Sequence, residues 1–139
     1  MSNIEDTTIL ALVNAAKDGF EKAYAPYSNF HVGAAALTAN GKIVKGCNVE
    51  NASYGLTVCA ERNCLAQGVI GGERAFSALV VYTKQEKLTP PCGACRQVIV
   101  EFLAPDALVM AVNHNNDRKQ WTVNDLLPDA FMPKDLLEN

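Results

Sequence analysis

Two short cysteine motifs constrain the fold of this chain more than any other feature of its sequence. The first is Cys-Ala-Glu-Arg over residues 59–62, and the second is Pro-Cys-Gly-Ala-Cys over residues 91–95. Residues three apart are neighbours on a helix, so Cys92 and Cys95 are expected to share one face of a first helical turn. Cys59, at the start of another predicted helix, would add a third sulfur. The fold must therefore bring two helix starts together around three thiols.

Three sulfur ligands favour a catalytic zinc site, with one Zn²⁺ ion per chain. Catalytic zinc takes three protein ligands and leaves its fourth tetrahedral position to water. A purely structural site would need a fourth ligand, for which the candidates are Cys47, Cys64, His31 and His114. We expect none of these to bind metal, because small buried thiols are common in protein cores and both histidines have ordinary packing or surface roles. A redox dithiol formed by Cys92 and Cys95 alone would leave the first motif without a role.

The two residues after Ala60 suit the chemistry of such a site. Glu61 stands where a carboxylate can take a proton from water on the metal and pass it to a substrate nitrogen, as general base and then general acid. The alternative is a surface acid stabilised by the helix N-terminus. Zinc with three thiolates has a formal charge of about −1, which opposes the acidification of its water. Arg62 is expected to donate hydrogen bonds to sulfur and, with the two helix N-termini, to supply compensating positive charge.

The length predicts a single domain, residues 1–139, and the composition is ordinary for a globular protein. A formal net charge of −3 without a basic run argues against a nucleic acid polymer as partner. The acidic N-terminus, residues 1–6, lacks the layout of a signal peptide, and no apolar run approaches the ~18 residues of a membrane span. Five cysteines make an odd count that metal explains better than disulfides. We therefore expect a cytoplasmic protein, because thiols stay reduced there.

Hydrophobic periodicity and turn signals predict a three-layer α-β-α domain with a mixed five-stranded sheet. Helices are predicted over residues 7–24, 58–69, 93–103 and 133–138, and strands over 30–38, 42–50, 76–82, 107–112 and 118–123. Asn40-Gly41 between the first two strands predicts a hairpin with a type I′ turn. The two strand–helix–strand units are expected to give parallel neighbouring strands with right-handed crossovers.

Five segments of the chain resemble the short, homotetrameric cytidine deaminases of the three-cysteine zinc type. In order they are YAPYS (24–28), FHVGAA (30–35), GCNVENA (46–52), CAER (59–62) and PCGACRQ (91–97). The resemblance extends from Tyr24 to Phe131 and implies the cytidine deaminase-like fold. It also implies hydrolytic deamination of cytidine and 2′-deoxycytidine to uridine and deoxyuridine in pyrimidine salvage, through water addition at C4, a tetrahedral intermediate and loss of ammonia.

The resemblance assigns a role to each matching residue. It implies zinc on Cys59, Cys92 and Cys95, proton transfer by Glu61, and hydrogen bonds from Arg62 to the ligand sulfurs. The residues implied to bind substrate are Asn48 and Glu50 at the ribose hydroxyls, Phe30 against the pyrimidine, Ala60 through its backbone, and Tyr54 and Phe131 near the subunit junction. The implied assembly is a homotetramer in which Phe131 reaches a neighbouring subunit's site.

The sequence leaves three alternative functions open. One is deamination of a modified cytosine nucleoside such as blasticidin S, and another is a non-catalytic zinc-binding interaction module. The third, editing of cytosine within RNA or DNA, lacks the cationic groups that a strand requires. The chain also departs from the family at Asn63-Cys64, where relatives often have Thr-Ala. We expect Cys64 to pack near the metal and to increase sensitivity to oxidation.

Overall fold

Five strands and five helices make up residues 4–137, the part of the chain that the computed structural model describes. The strands are β1 Gly33–Thr38, β2 Ile43–Cys47, β3 Phe76–Thr83, β4 Leu103–Asn113 and β5 Arg118–Thr122. The helices are α1 Asp6–Glu21, α2 Ala60–Ile70, α3 Gly93–Phe102, α4 Val123–Leu126 and α5 Pro133–Leu137. A single 3₁₀ turn, Tyr54–Leu56, precedes α2.

Helices cover both faces of the sheet and give the three layers that the sequence predicts. Successive side chains of a strand point to opposite faces, so β1 contributes Ala34 and Ala36 to one core and Ala35 to the other. The apolar stripe of α1 packs into the second of these cores. Helices α2, α3 and α4 pack into the first. The two cysteine motifs, at the starts of α2 and α3, therefore lie on the same side of the sheet.

The sheet is mixed, in the order β2-β1-β3-β4-β5. Strands β3 and β4 are parallel neighbours joined through α3, which confirms one predicted strand–helix–strand unit. The prediction that β2 and β3 are also neighbours is wrong, because β1 lies between them and is antiparallel to both. The hairpin pairs one edge of β1 with β2 and leaves its other edge for β3. Strand β2 consequently forms an edge of the sheet beside α2.

The β1–β2 hairpin is confirmed, but its turn is not of type I′. Gly41 has a φ of 84°, whereas Asn40 is not among the residues with positive φ. The Gly41 N–H donates to the Thr38 carbonyl at 2.9 Å, and the Thr38 N–H donates to the Lys42 carbonyl at 2.8 Å. This is a three-residue connection in which a single left-handed glycine follows a type I turn. Both strands of this hairpin are also shorter than predicted, and His31 precedes β1 instead of lying within it.

Two helix boundaries differ from the predictions for identifiable reasons. Helix α1 ends at Glu21, because Tyr24 turns away to pair with the segment at Val49, in a parallel bridge. Helix α4 begins where the prediction continues a strand to residue 123. Its start is fixed by a capping box in which Thr122 and Asp125 each accept a hydrogen bond from the other's backbone N–H.

The predicted terminal helix is present over Pro133–Leu137, and residue 138 lies outside the described part of the chain. Residues 1–3, on which the prediction of no signal peptide partly rests, also lie outside it. Between residues 4 and 137, no helix combines the length and the apolar character needed to cross a membrane.

Gly46 allows α2 to lie directly against β2. A Cβ atom at this position would come within 2.4 Å of the Cys64 backbone nitrogen and 2.7 Å of the Ala60 carbonyl oxygen. On the opposite helix layer, a Cβ on Gly19 of α1 would come within 2.4 Å of the Gly46 carbonyl oxygen. Both helix layers therefore meet the sheet edge backbone to backbone at β2. This contact fixes the height of the first turn of α2 above the strand.

Candidate active site

Three cysteine sulfurs meet at the N-termini of two helices. Cys59 is the N-cap of α2, Cys92 is the N-cap of α3, and Cys95 lies in the first turn of α3. Their Sγ atoms all lie within 4.8 Å of one another, and those of Cys59 and Cys92 are 3.8 Å apart. Neither N-cap side chain accepts a capping hydrogen bond from its helix. The sulfurs are thus directed toward each other, as the sequence predicts.

The charge distribution within the cluster suits a metal cation. A hydrogen bond from Cys95, together with Arg62, lowers the pKa of Cys59 to about 5, so this sulfur is a thiolate at neutral pH. The pKa of Cys95 is raised, first by its hydrogen bond with Cys59 and then by burial. Soft sulfur donors in a group of three fit zinc, which binds thiolates in tetrahedral geometry. A dication would replace the shared proton and stabilise all three thiolates.

Arg62 is placed to stabilise negative charge on the cluster. Its Nη2 atom donates to the Cys59 Sγ at 3.5 Å, and this bond raises the pKa of the guanidinium. Its Nε atom is buried and has no hydrogen-bond partner among residues 4–137. The arginine is therefore held at the sulfur cluster and keeps its full positive charge.

Glu61 is buried beside the cluster, with 5% of its surface exposed. Burial, and to a smaller extent the neighbouring Cys59 thiolate, raises the pKa of its carboxyl from the ordinary value of 4.5 to about 7. A surface acid in the first turn of a helix would have neither property. The geometry therefore favours the general acid–base interpretation, because a group with a pKa near 7 can both accept and donate a proton at neutral pH.

Asn48 and Glu50 organise the backbone that precedes β1. The Asn48 amide donates to the Phe30 carbonyl at 2.8 Å and accepts from the Val32 N–H at 3.0 Å. Glu50 accepts from the Ser28 hydroxyl and from the N–H groups of Tyr27 and Ser28, at 3.0 and 3.1 Å. The Ser28 hydroxyl bond lowers the pKa of Glu50, which stays ionised. Both side chains are thus rigidly held.

Three of the implied substrate contacts are exposed aromatic rings. Phe30, Tyr54 and Phe131 expose 37%, 75% and 58% of their surface, whereas Ala60 is fully buried. The Tyr54 ring lies 6.1 Å from the ring of Tyr27. Within residues 4–137, no hydrogen bond or ring contact joins Tyr54 or Phe131 to the three cysteines. The chain alone therefore assembles the cysteine cluster, Arg62 and Glu61, but leaves these rings open to solvent.

The other candidate ligands are engaged elsewhere and do not lie in the cluster. The partners of Cys47, Cys64, His31 and His114 are, in that order, the Lys22 carbonyl, the Val44 carbonyl, the Phe20 ring and the Glu86 carboxylate. Cys64 is fully buried, and burial raises its pKa to about 12. This contradicts the expectation that Cys64 increases sensitivity to oxidation, since oxidants attack exposed thiolates.

Ser28 and Asn63 are site residues that the sequence interpretation did not single out. Ser28 fixes Glu50, and Asn63 donates from α2 to the carbonyls of Cys47 and Val58. The only signal for Ser28 was its place within the first shared segment, YAPYS. Asn63 stands out as a polar side chain at a departure from the family pattern. Neither role can be derived from spacing, because both depend on segments far apart in the sequence.

Three cysteines and a buried glutamate lie at the N-termini of two helices that pack on one face of a mixed sheet. This arrangement is that of the zinc deaminases. A family model described as the cytidine and deoxycytidylate deaminase zinc-binding region matches residues 6–112, and the chain belongs to this family.

Relatives and solved structures agree with that assignment. The chain is 45% identical over 125 residues to the cytidine deaminase of Halalkalibacterium halodurans, covering 90% of this chain and 95% of that protein. It is also 45% identical over 115 residues to the cytidine deaminase of Mycobacterium tuberculosis, covering 82% of each. The crystal structure of cytidine deaminase from Burkholderia pseudomallei superimposes with a TM-score of 0.84 at 51% identity, covering 88% of this chain and 98% of that chain.

Proposed function

We propose that this chain is a cytidine deaminase of pyrimidine salvage, which converts cytidine and 2′-deoxycytidine with water into uridine, deoxyuridine and ammonia. The observation that carries the proposal is the buried Glu61 beside three converging thiols, in a chain 45% identical to a protein named cytidine deaminase. We further propose that the chain acts as a single domain in the cytoplasm. Its cysteine cluster is suited to metal in a reducing compartment.

In this proposal Cys59, Cys92 and Cys95 hold one zinc ion, which when bound supplies an activated water. Glu61 moves two protons in turn: its carboxylate accepts one from the attacking water at Oε and passes it to the ring nitrogen, and it then carries the proton of the C4 hydroxyl to the departing amino group, which leaves as ammonia. Burial raises the pKa of Glu61, which opposes the lowering that a nearby dication would cause. Arg62 keeps negative charge on the sulfurs by donating to Cys59.

The nucleoside binds between the cysteine cluster and the segment formed by residues 27–50. Asn48 and Glu50 bind the ribose hydroxyls, since an amide and a carboxylate can both engage a diol. This role is supported by the fixed position of both side chains, because each makes two or more hydrogen bonds with the backbone before β1. Phe30 packs against the pyrimidine, and the buried backbone at Ala60 contacts the base.

A non-catalytic zinc module is disfavoured by the ligand set. In residues 4–137, the cluster of possible metal ligands consists of the three cysteines alone, without a fourth cysteine, histidine or carboxylate. A closed structural site requires that fourth ligand. Three ligands and an open position are what a catalytic site needs.

We also propose that the active unit is a homotetramer with sites near the subunit junctions. Apolar side chains of α2 and α3 line a shallow groove of ≈ 600 Å³, and one of them, Ile70, has 83% of its surface exposed. Tyr54 and Phe131 are exposed as well. Such surfaces in a small protein are commonly buried by association. Sedimentation equilibrium should give four times the chain mass of 15.0 kDa; a monomer would contradict this part of the proposal.

The test is the loss of cytidine absorbance with purified protein, measured for wild type, Glu61→Gln and the control Glu101→Gln, with zinc quantified in each. Glu101 is an exposed acid on α3. We expect wild type and the control to convert cytidine and 2′-deoxycytidine. Glu61→Gln should keep its zinc and lose about a hundred- to ten-thousand-fold in rate. Zinc-loaded wild type that changes neither nucleoside would refute the proposal, and turnover of blasticidin S alone would select the modified-nucleoside alternative.

A further inference from the structure

Asn63 joins the two backbone segments on which the site is built. Its side-chain amide donates to the Cys47 carbonyl at 2.9 Å and to the Val58 carbonyl at 3.4 Å. Cys47 immediately precedes Asn48, and Val58 immediately precedes Cys59. One amide on α2 therefore reaches the residue before the proposed ribose contact and the residue before the first proposed zinc ligand.

The link that Asn63 reinforces is otherwise small. Val49 and Val58 form an isolated antiparallel bridge with two hydrogen bonds, each 3.0 Å long. The Val58 carbonyl thus accepts from both the Val49 N–H and the Asn63 amide. The Asn51 N–H adds one bond to the Thr57 hydroxyl at 3.3 Å, so these segments are joined by three hydrogen bonds besides those of Asn63. Tyr24 bridges Val49 from the other side. A bridge of this length outside the main sheet opens more easily than a sheet strand. An additional amide across the bridge restrains the distance between its two segments.

The anchor for this restraint is the helix that carries the acid. The Asn63 N–H donates to the Cys59 carbonyl at 3.1 Å, which is the hydrogen bond of the first turn of α2. Glu61 lies in the same turn. The Asn63 side chain therefore ties this turn, which presents Cys59 and Glu61, to the strand end that presents Asn48 and Glu50.

We propose that Asn63 is a positioning residue that sets the separation between the zinc end of the site and its ribose-binding end. The inference rests on the proposed function, since it acts through Asn48 and Glu50. An asparagine amide has two N–H donors and meets two carbonyls here, whereas a threonine hydroxyl has one donor and a leucine side chain has none. Loss of the donors lets the ribose end drift away from the reacting base.

This role predicts a selective effect on substrates. A nucleoside with ribose hydroxyls is held at both ends, so it reacts well only when the two ends have the correct separation. 2′,3′-Dideoxycytidine lacks the 2′- and 3′-hydroxyls, which form the diol, and is held mainly at its base. Misplacement of the ribose end should therefore penalise cytidine and leave the dideoxy compound almost unaffected, because only the former uses both contacts.

The experiment compares kcat/KM for cytidine and for 2′,3′-dideoxycytidine in zinc-loaded wild type, Asn63→Leu and Asn63→Thr. The control is Asn14→Leu, at an exposed asparagine on α1. We expect Asn63→Leu to lower kcat/KM for cytidine about tenfold with little change for the dideoxy compound and unchanged zinc content. Asn63→Thr should fall between Asn63→Leu and wild type, and Asn14→Leu should behave as wild type.

A double variant tests whether Asn63 acts through Glu50. Glu50→Gln should produce the same selective loss on cytidine, and adding Asn63→Leu to it should cost much less than Asn63→Leu costs alone. Such non-additivity is expected for residues that act as one unit. Amide hydrogen exchange provides an independent readout, in which Asn63→Leu should accelerate exchange at Val49 by about tenfold without affecting Val80 in β3.

The outcomes separate the two proposals. If wild type deaminates neither nucleoside, the proposed function fails and this inference falls with it. If wild type deaminates cytidine while Asn63→Leu lowers both substrates equally, Asn63 has only a general structural role and the inference alone is wrong. An unchanged substrate ratio, or unchanged exchange at Val49, would overturn it in the same way.

Discussion

At the scale of single residues, Glu61 shows burial overcoming the effect of a helix N-terminus. An acid in the first turn of a helix is normally stabilised in its charged form. Here the carboxyl is removed from water, and its pKa rises to about 7. The motif alone predicts where this acid lies along the helix. Its burial depends on how α2 packs against the sheet, which the motif does not contain.

The raised pKa of Glu61 predicts that the stability of the metal-free chain depends on pH. The folded state keeps the Glu61 proton up to about pH 7, whereas the unfolded chain releases it near 4.5. Because the folded state binds more protons in this window, stability falls as the pH rises through it, and the loss is complete above about pH 7. Glu61→Gln should remove this loss and make the metal-free chain more stable than wild type at high pH, by up to about 3 kcal/mol.

Urea unfolding of chelator-treated wild type and Glu61→Gln, at about pH 5 and about pH 8, measures this difference. The two proteins should have similar free energies of unfolding at the lower pH and diverge at the higher one. A difference of the same size at both values would show that the Glu61 carboxyl is not the titrating group.

A second prediction at this scale concerns the effect of Arg62 on zinc affinity. Removing its charge in Arg62→Gln leaves the fold intact but takes a hydrogen bond and a positive charge away from the Cys59 sulfur. Groups that support metal ligands in this way typically change metal affinity about 10- to 100-fold. We therefore expect weaker zinc binding or slower turnover, measured by competition with a chromophoric chelator and by the cytidine assay.

Arg74→Gln provides the matched control for Arg62. Arg74 follows the opposite end of α2 and donates to the carbonyls of Val69 and Glu73, far along the helix from the sulfurs. Its replacement should leave zinc affinity unchanged. Equal zinc affinity and equal rate in Arg62→Gln and wild type would contradict the charge-compensation role.

At the scale of elements, the sequence predicts what local chemistry decides. The starts of α2 and α3 follow from their motifs, and the parallel β3–β4 pair follows from the helix between the strands. The prediction of a type I′ turn is wrong because Asn-Gly is compatible with more than one hairpin turn, and the choice between them depends on the register of β1 against β2. Helix α4 has only four residues, too few for a periodic pattern. Its signal was the Thr122-x-x-Asp125 capping box.

The site divides in the same way. The three cysteines, Glu61 and Arg62 lie together because two helix starts face each other. Spacing predicts only that Cys92 and Cys95 share a helix face, and the approach of Cys59 is predicted from the three ligands that a catalytic zinc site needs. The contacts of Asn48, Glu50 and Asn63 join segments separated by many residues, so no local pattern predicts them. Their geometry follows from the edge position of β2, whereas the sequence predicts β2 as a neighbour of β3.

A substitution at Gly46 tests how closely α2 must approach β2. Gly46→Ala would place a methyl group 2.4 Å from the backbone nitrogen of Cys64, where no side chain can move aside. We expect the free energy of unfolding of the zinc-loaded protein to fall by about 3 kcal/mol, the upper range for overpacking, because α2 must lift from β2. Urea unfolding gives this value. Zinc affinity should fall as well, since Cys59 moves with the helix.

The control is Gly71→Ala, at the C-cap of the same helix. Gly71 has a φ of −79°, and a Cβ there would meet its nearest atom, the Gly68 carbonyl oxygen, at 3.4 Å. This replacement should change the free energy of unfolding by less than about 0.5 kcal/mol. Tolerance of Gly46→Ala equal to that of Gly71→Ala would mean that the close approach of α2 to β2 is not required.

At the scale of the whole molecule, the site is asymmetric in its completeness. The proposed catalytic side is complete within one chain, with Glu61 buried and the sulfurs converged. The proposed aromatic side is not, because Tyr54 and Phe131 remain exposed. Gln97, two residues after Cys95, donates to the Phe131 carbonyl at 2.8 Å and fixes the backbone while the ring stays free. A fixed backbone with a free ring suits a residue that is presented to another subunit.

Mixing two impaired variants tests this presentation directly. In the proposed tetramer, Glu61→Gln subunits lack the proton-transfer group but offer Phe131, whereas Phe131→Ala subunits keep Glu61 but lack the ring for their neighbours. Each variant alone should have low activity. After mild urea treatment and dialysis to exchange subunits, about one quarter of all sites combine Glu61 from one subunit with Phe131 from another, because each choice is one in two. The mixture should therefore recover about a quarter of the wild-type rate per subunit.

If Phe131 served only its own subunit, no mixed site would be complete and the rate would stay at the mean of the two variants. Leu137→Ala, at another exposed apolar residue of α5, should be active alone and gain nothing from mixing beyond its own share.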